Sequence, residues 1–116
     1  MFTYTDRYEF DWPVQVKLPA DDGEEIQEFT GRFVMPEDEL EIFGTDTGGM
    51  TSNELIKHIR VRLAKYWIGW TGIKVQGGGD LPFSAENRDN LLRQRAVRIA
   101  VDRALTEAVL GIREKN

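Results

Sequence analysis

The sequence contains no cysteine and only one histidine among its 116 residues. The absence of cysteine excludes disulfides and thiolate chemistry, and it also excludes zinc sites of the Cys/His kind. A Ser–His catalytic pair would have to use His58, which at helical spacing lies near Arg62 and Lys65 on a polar face. A catalytic histidine needs an orienting partner and a pocket. We therefore interpret His58 as a solvated helix residue and expect no catalytic site and no enzyme.

Long apolar runs are missing as well. No stretch approaches the roughly 20 apolar residues that a membrane span requires, so we expect no membrane partner. The N-terminal sequence MFTYTDRYEFDW has neither the basic flank nor the apolar run of a signal peptide. The length favours a single domain over residues 1–116, which is large enough to bury a core without crosslinks.

Basic side chains are scarce in the first half of the chain. Residues 1–50 carry 3 basic and 13 acidic side chains, whereas residues 51–116 carry 12 basic and 7 acidic ones. Such asymmetry is typical of two solvated faces of opposite sign, or of a basic surface that has a function. The adjacent carboxylates fall in a predicted turn and a predicted helix start, and the EF-hand spacing is absent. The pattern therefore indicates no metal site.

Strict alternation predicts that residues 8–35 form an antiparallel β-hairpin. The apolar positions of its first strand are Tyr8, Phe10, Trp12, Val14, Val16 and Leu18. A turn signal at 19–23 and a second alternating segment at 29–35 complete the pair, with a loop of about five residues. Pro13 predicts an edge strand because it cannot donate to a ladder. Ile26 is out of phase with Phe29, which indicates a bulge or a late strand start.

Helical signals dominate residues 36–116. Pro36 and the carboxylates after it predict a short helix that ends at Gly44. Thr51 and Glu54 have the spacing of a capping box, ahead of a helix that we expect to end near Gly69.

That helix has two apolar stripes. The main stripe is Leu55, Ile56, Ile59, Leu63, Tyr66 and Trp67, and the narrower stripe is Val61, Ala64 and Ile68. Ser84 is the predicted cap of the next helix. Residues 85–113 are compatible with one helix or with two. The fold class is therefore α+β: an N-terminal antiparallel β-hairpin followed by three to four helices packed on it.

Two features are typical of ligand sites, the first for phosphate and the second for nucleic acid, but the residues around each of them disfavour that ligand. The glycines of 77–79 run into Asp80, which would repel phosphate, and they lack the Gly-Lys-Ser/Thr ending of a phosphate loop. We therefore expect no cofactor. Five arginines lie within sixteen residues, at Arg88, Arg93, Arg95, Arg98 and Arg103. They leave open a small nucleic-acid-binding or regulatory domain that uses residues 88–103, although interspersed acids and a pI of about 4.9 disfavour nucleic acid.

Residues 67–84, WIGWTGIKVQGGGDLPFS, combine aromatic side chains with five glycines. Trp67 ends an apolar helix face, which is typical of a core residue. Trp70 and Ile73 lie beyond it. They either tuck under the loop as a satellite cluster or form an exposed apolar patch for a partner.

The order of these segments resembles the tail assembly chaperones of long-tailed bacteriophages. The resemblance runs from about Phe10 to the C-terminus through FDWPVQVKLPADDGEEIQEFTGRFVMPEDEL, YWIGWTGIK and LPFSAENRDNLL. Its most specific element is Gly69-Trp70-x-Gly72-Ile73 followed by Leu81-Pro82-Phe83-Ser84. The glycine run at 77–79 departs from the more acidic turn expected of the family.

The resemblance implies a non-enzymatic protein of the bacterial host cytoplasm that is absent from the mature virion. Its implied partners are the tape measure protein, which it binds transiently, and the tail tube protein, which it helps to recruit. A frameshift-extended form of the chain is a further possible partner, because Glu114-Lys115-Asn116 is compatible with a slippery codon run. The hypothetical partner surface comprises Trp67, Trp70, Ile73, Val61, Ala64 and Ile68. We expect Trp70→Ala to impair tape measure binding and to cost little stability.

Overall fold

The structure, a computed structural model, describes residues 1–111. The elements in chain order are β1 (Glu9–Ala20), β2 (Gly23–Val34), α1 (Leu40–Phe43), α2 (Ser52–Tyr66), β3 (Trp67–Thr71), α3 (Ala85–Leu92) and α4 (Arg95–Leu110). The α+β class, the N-terminal hairpin and the four helices confirm the fold prediction. The strand β3 was not predicted. The proposed frameshift region, 114–116, lies outside the described residues.

The hairpin is longer and tighter than the sequence suggested. β1 and β2 pair in one unbroken antiparallel register from Glu9↔Val34 to Ala20↔Gly23, so the turn contains two residues instead of about five. Gly23 has φ +126°, a backbone conformation that side chains oppose. The bulge or late strand start expected near Ile26 is wrong, because β2 begins at Gly23 and pairs with β1 without interruption. Ile26 pairs with Lys17 on the outer face of the hairpin, where it is exposed, whereas Phe29 pairs with Val14 on the inner face.

The inner face of the sheet carries the apolar positions of the first strand. Val14 and Val16 are buried there, and α4 packs across β1. The strand order is β1-β2-β3, which places β1 at an edge, as Pro13 predicted.

The third strand replaces the last turn of the predicted helix. α2 ends at Tyr66, and Trp67 takes up extended backbone (φ −92°, ψ 103°). Residues 67–71 then pair antiparallel with β2. The expected helix end near Gly69 is therefore wrong, because a segment rich in aromatic and β-branched side chains found a strand edge to pair with.

Side-chain hydrogen bonds mark the starts of the first two helices, and α2 begins with a full capping box. The Thr51 hydroxyl accepts from the Glu54 amide at 3.2 Å, and the Glu54 carboxylate accepts from the Thr51 amide at 3.0 Å, which confirms the predicted capping box. α1 ends before Gly44, as predicted, but it begins at Leu40 and not at Pro36. The carboxylate of Asp38 accepts from the Leu40 amide at 2.9 Å and marks this later start.

Residues 85–110 form two helices. Ser84 Oγ accepts from the Asn87 amide at 3.0 Å, which confirms the predicted cap of α3. α3 ends after Leu92 although no glycine or proline interrupts the chain. The guanidinium of Arg98 donates to the carbonyl of Leu92 at 3.1 Å, and this bond satisfies an acceptor that the end of the helix leaves free.

One cluster of buried side chains joins all the elements. Its largest fully buried members are Trp67, Phe33, Leu63, Leu92, Leu105, Val14 and Val101. They come from the sheet and from α2, α3 and α4, so the helices share a core with the hairpin. Within residues 1–111, no helix is long and apolar enough to cross a membrane.

Candidate partner-binding site

Four aromatic rings connect the sheet to the segment after β3. Ring centroids are 5.8 Å apart for Phe29 and Trp67, 5.1 Å for Trp67 and Trp70, and 4.8 Å for Trp70 and Phe83. These separations lie within the range in which aromatic pairs stabilise each other beyond their burial. The series runs from the buried core to Phe83, which is partly exposed. The aromatic content of residues 67–84 therefore holds this segment against the fold.

Hydrogen bonds fix the same segment. Trp70 Nε1 donates to the carbonyl of Leu81 at 2.8 Å, and the Leu81 amide donates to the carbonyl of Ile73 at 2.9 Å. Lys74 and Asp80 form a β-bridge and an ion pair above these bonds. Residues 73–81 are therefore a small closed loop, and the glycine run at its tip makes the turn.

Gly72 gives the loop its direction. Its φ is +88°, which side chains rarely adopt, and a Cβ atom there would lie 3.7 Å from the Cα atom of Phe29. The space is sufficient, so the backbone conformation is what requires glycine at this position.

The structure separates the residues of the hypothetical partner surface. Trp67 is fully buried, so it is a core residue and cannot contact a partner in this conformation. Trp70 is half-buried and packs against the core beside the loop, which corresponds to the satellite-cluster interpretation. Ile73 is also half-buried but borders an open cleft.

The narrower stripe is divided as well. Val61 is 73% exposed and lines two shallow clefts on α2. Ala64 is half-buried, and its carbonyl accepts from Arg88 at 3.0 Å. Ile68 lies in β3 and not on the helix, because α2 ends before it. Of the six residues, Val61 and Ile73 are therefore the two that the structure leaves best placed for contact with another molecule.

The cleft beside Ile73 was not foreseen from the sequence. It has a volume of about 380 Å³ and lies between the hairpin, the exit of β3 and the helices. Its lining residues are Val16, Leu18, Gln27, Glu28, Phe29, Gly72, Ile73, Lys74, Leu91, Gln94 and Val97. We call it the hairpin cleft. Its aliphatic and aromatic members make it an apolar depression with polar groups at its border.

The outer part of the hairpin extends beyond the core. All residues from Asp21 to Glu28 are exposed. The carboxylates of this tip are Asp21, Asp22, Glu24, Glu25 and Glu28. None of them forms an ion pair within residues 1–111. We call this group the acidic tip.

The arginines do not form one surface. Arg98 is buried and holds the end of α3, and Arg88 donates both to the Ala64 carbonyl and to Asp89. Arg93, Arg95 and Arg103 are exposed. Two of the five cations in the cluster thus have structural roles.

A polar cluster joins α1 to α2 near His58. Glu41 accepts hydrogen bonds from Lys65 Nζ at 3.1 Å and from the Tyr66 hydroxyl at 3.0 Å. The hydrogen bond from Lys65 is the main cause that holds the pKa of Glu41 below its ordinary value, and the bond from Tyr66 is the second. Burial is the main cause that raises the pKa of Tyr66, and the hydrogen bond to Glu41 is the second. The cluster fastens the short helix α1 to the body of the protein.

Within residues 1–111, no group of three or more His, Asp or Glu side chains is placed to hold a metal ion. Comparisons with protein-family models, curated proteins and solved structures gave no match for this chain.

Proposed function

We propose that the chain is a phage tail assembly chaperone that transiently binds the tape measure protein and helps to recruit tail tube subunits. In this proposal it acts by binding and not by catalysis. The observation that carries the proposal is the motif Gly69-Trp70-x-Gly72-Ile73 followed by Leu81-Pro82-Phe83-Ser84, in the order that the family shows.

The structure supports treating these two motifs as one unit. Trp70 contacts Phe83 through its ring and the Leu81 carbonyl through its indole N–H. Gly72 turns the chain so that Ile73 reaches the hairpin cleft. We infer a reason for the motif: it shapes and positions one wall of a binding surface, while its tryptophan, Trp70, packs within the fold.

The hairpin cleft has the character that such a partner requires. A long helical protein that must not aggregate presents repeated apolar side chains, and an apolar groove can take up one helix face at a time. The cleft is open, with aliphatic side chains such as Leu18, Ile73 and Leu91 within reach. An open groove favours moderate affinity and release, which a chaperone absent from the finished tail would need.

Recruitment of tube subunits would use a different surface. Val61 projects from α2 between two shallow clefts, one of them bordered by Lys57, Arg60 and Arg93. Asp89 also borders that cleft, so the exposed aliphatic side chain has a mixed-charge border. We propose it as the docking point for a folded subunit, since interfaces commonly have an apolar centre and a polar rim.

Co-expression with the tape measure protein encoded beside this gene tests the proposal. We expect the tape measure protein to become soluble and to purify with this chain. Ile73→Ala should reduce its recovery, whereas Val75→Ala, which changes an exposed residue of the same loop, should not. If the wild-type chain is folded and the tape measure protein remains insoluble, the proposed function is wrong.

A further inference from the structure

The hairpin cleft continues towards the acidic tip on one face of the sheet. Leu18 and Gln27 line the cleft, and Leu18 is paired with Glu25 across the strands. Directly opposed residues in an antiparallel pair point to the same face. The side chain of Glu25 is therefore on the cleft side of the hairpin, one step beyond the apolar floor.

The charge of the hairpin end beyond the cleft, counted over both faces and the turn, is strongly one-sided. Residues 17–28 contain five carboxylates and a single cation, Lys17. The lysine on the other wall, Lys74, is already paired with Asp80. A segment that enters the cleft therefore meets an apolar floor and unneutralised negative charge at one end. Like charges gathered on a narrow tip repel each other, and a cationic partner would relieve that repulsion.

Resting on the proposed function, we propose that the hairpin cleft and the acidic tip together bind a basic amphipathic segment of the tape measure protein. Apolar side chains of the segment would enter between Leu18, Ile73 and Leu91. Its lysine or arginine side chains would contact the Glu25 carboxylate on the cleft face, and the other carboxylates of the acidic tip would add longer-range attraction. The cleft is bounded by three parts of the fold, so it admits a single segment more readily than the broad surface of a second copy of this chain.

The tip can be altered without disturbing the core. Glu24 and Glu25 are exposed, so Glu24→Lys/Glu25→Lys should fold normally. The matched control is Glu37→Lys/Glu39→Lys, which reverses two exposed charges outside the hairpin. Labelled peptides of about 20 residues that tile the tape measure sequence, each about 30 Å long as a helix, serve as probes in fluorescence anisotropy.

We expect the wild-type chain to select basic amphipathic peptides and the tip variant to bind them at least about tenfold more weakly, with the control unchanged. Raising the salt from about 0.05 to about 0.5 M should weaken wild-type binding and affect the tip variant much less. Selection of acidic or uncharged peptides would overturn the inference, and so would equal binding by wild type and tip variant.

The outcomes also separate this inference from the proposed function. If the wild-type chain keeps the tape measure protein soluble and the tip variant does so equally well, only the inference fails. If the wild-type chain does not retain the tape measure protein, the proposed function fails first. If the wild-type chain alone sediments as an oligomer and the tip variant sediments as a monomer, the cleft is an interface between copies, and the inference is overturned.

Discussion

Trp67 and Trp70 lie on the same face of β3, with ring centroids 5.1 Å apart, although they are three positions apart in the sequence. Regular alternation would place them on opposite faces. The pairing with β2 shifts at this point: Phe33 is opposite Trp67 and Arg32 is opposite Gly69, so Ile68 is the extra residue of a β-bulge. The bulge brings both indoles to the core side, and the second indole then holds the loop that borders the hairpin cleft.

Trp70→Ala should destabilise the protein by about 2 to 4 kcal/mol, because it removes two ring contacts and the hydrogen bond to Leu81. The structure thus predicts a larger cost than the sequence alone did, because Trp70 packs against the core. Trp70→Phe keeps a ring and should lose about half as much. Urea unfolding measures both, with Tyr4→Ala as the exposed aromatic control, expected within about 0.5 kcal/mol of wild type. A loss of that small size for Trp70→Ala would mean that the indole does not hold the loop.

Gly72→Ala should lower the free energy of unfolding by about 1 to 2 kcal/mol, because alanine rarely adopts a φ of +88°. Gly79→Ala in the same loop is the control. Gly79 has no positive φ, and a Cβ atom there would make an ordinary contact with Val75. Thermal unfolding of the two variants compares them directly. Equal melting temperatures would show that the loop accommodates a different backbone at position 72.

Arg98→Met should destabilise the protein by about 1.5 to 3 kcal/mol, because it leaves the Leu92 carbonyl without its donor. Arg103→Met, at an exposed position, should be nearly neutral. DNA mobility shifts at low salt with both variants also test the arginine-cluster hypothesis. A salt-sensitive shift that Arg103→Met weakens would favour nucleic-acid binding over the chaperone proposal.

The polar cluster of Glu41, Lys65 and Tyr66 should make the stability of the protein depend on pH in the acid range. Glu41 has a folded pKa below its ordinary value of 4.5, and a carboxyl of this kind stabilises the folded state above that value. The stabilisation is lost as the pH falls through the folded pKa. Glu41→Gln should therefore be less stable than wild type near pH 7, and the difference should disappear in strong acid.

Urea midpoints measured from neutral to strongly acid pH check this. The control is Glu39→Gln, since the Glu39 side chain makes no capping bond. A gap between Glu41→Gln and wild type that stays constant at every pH would show that Glu41 acts through packing and not through its charge.

Local sequence patterns predicted the fold well for features that depend on one helix or strand alone. The alternation of β1 and the Thr51–Glu54 capping box required nothing beyond neighbouring residues. The prediction failed at Trp67 because the segment satisfies a helical stripe and a strand equally well. The segment forms a strand because it pairs with the free edge of β2, which lies more than thirty residues earlier in the chain.

The candidate site was less accessible to sequence reasoning for the same reason. Leu18, Ile73 and Leu91 belong to three segments that no local pattern connects. Ile73 was predicted as a partner residue, but the hairpin and helix residues beside it were not. The acidic tip was visible in the sequence. Its place beside an apolar cleft depends on the strand register, which makes Glu25 a neighbour of Leu18.

The most direct test of the chaperone proposal is light scattering by the tape measure protein. The denatured protein is diluted into buffer that contains increasing amounts of this folded chain. We predict that scattering falls as the chain is added and levels off at a fixed molar ratio, because a limited number of segments are covered. Scattering that is unchanged by an excess of the folded chain would contradict the proposal.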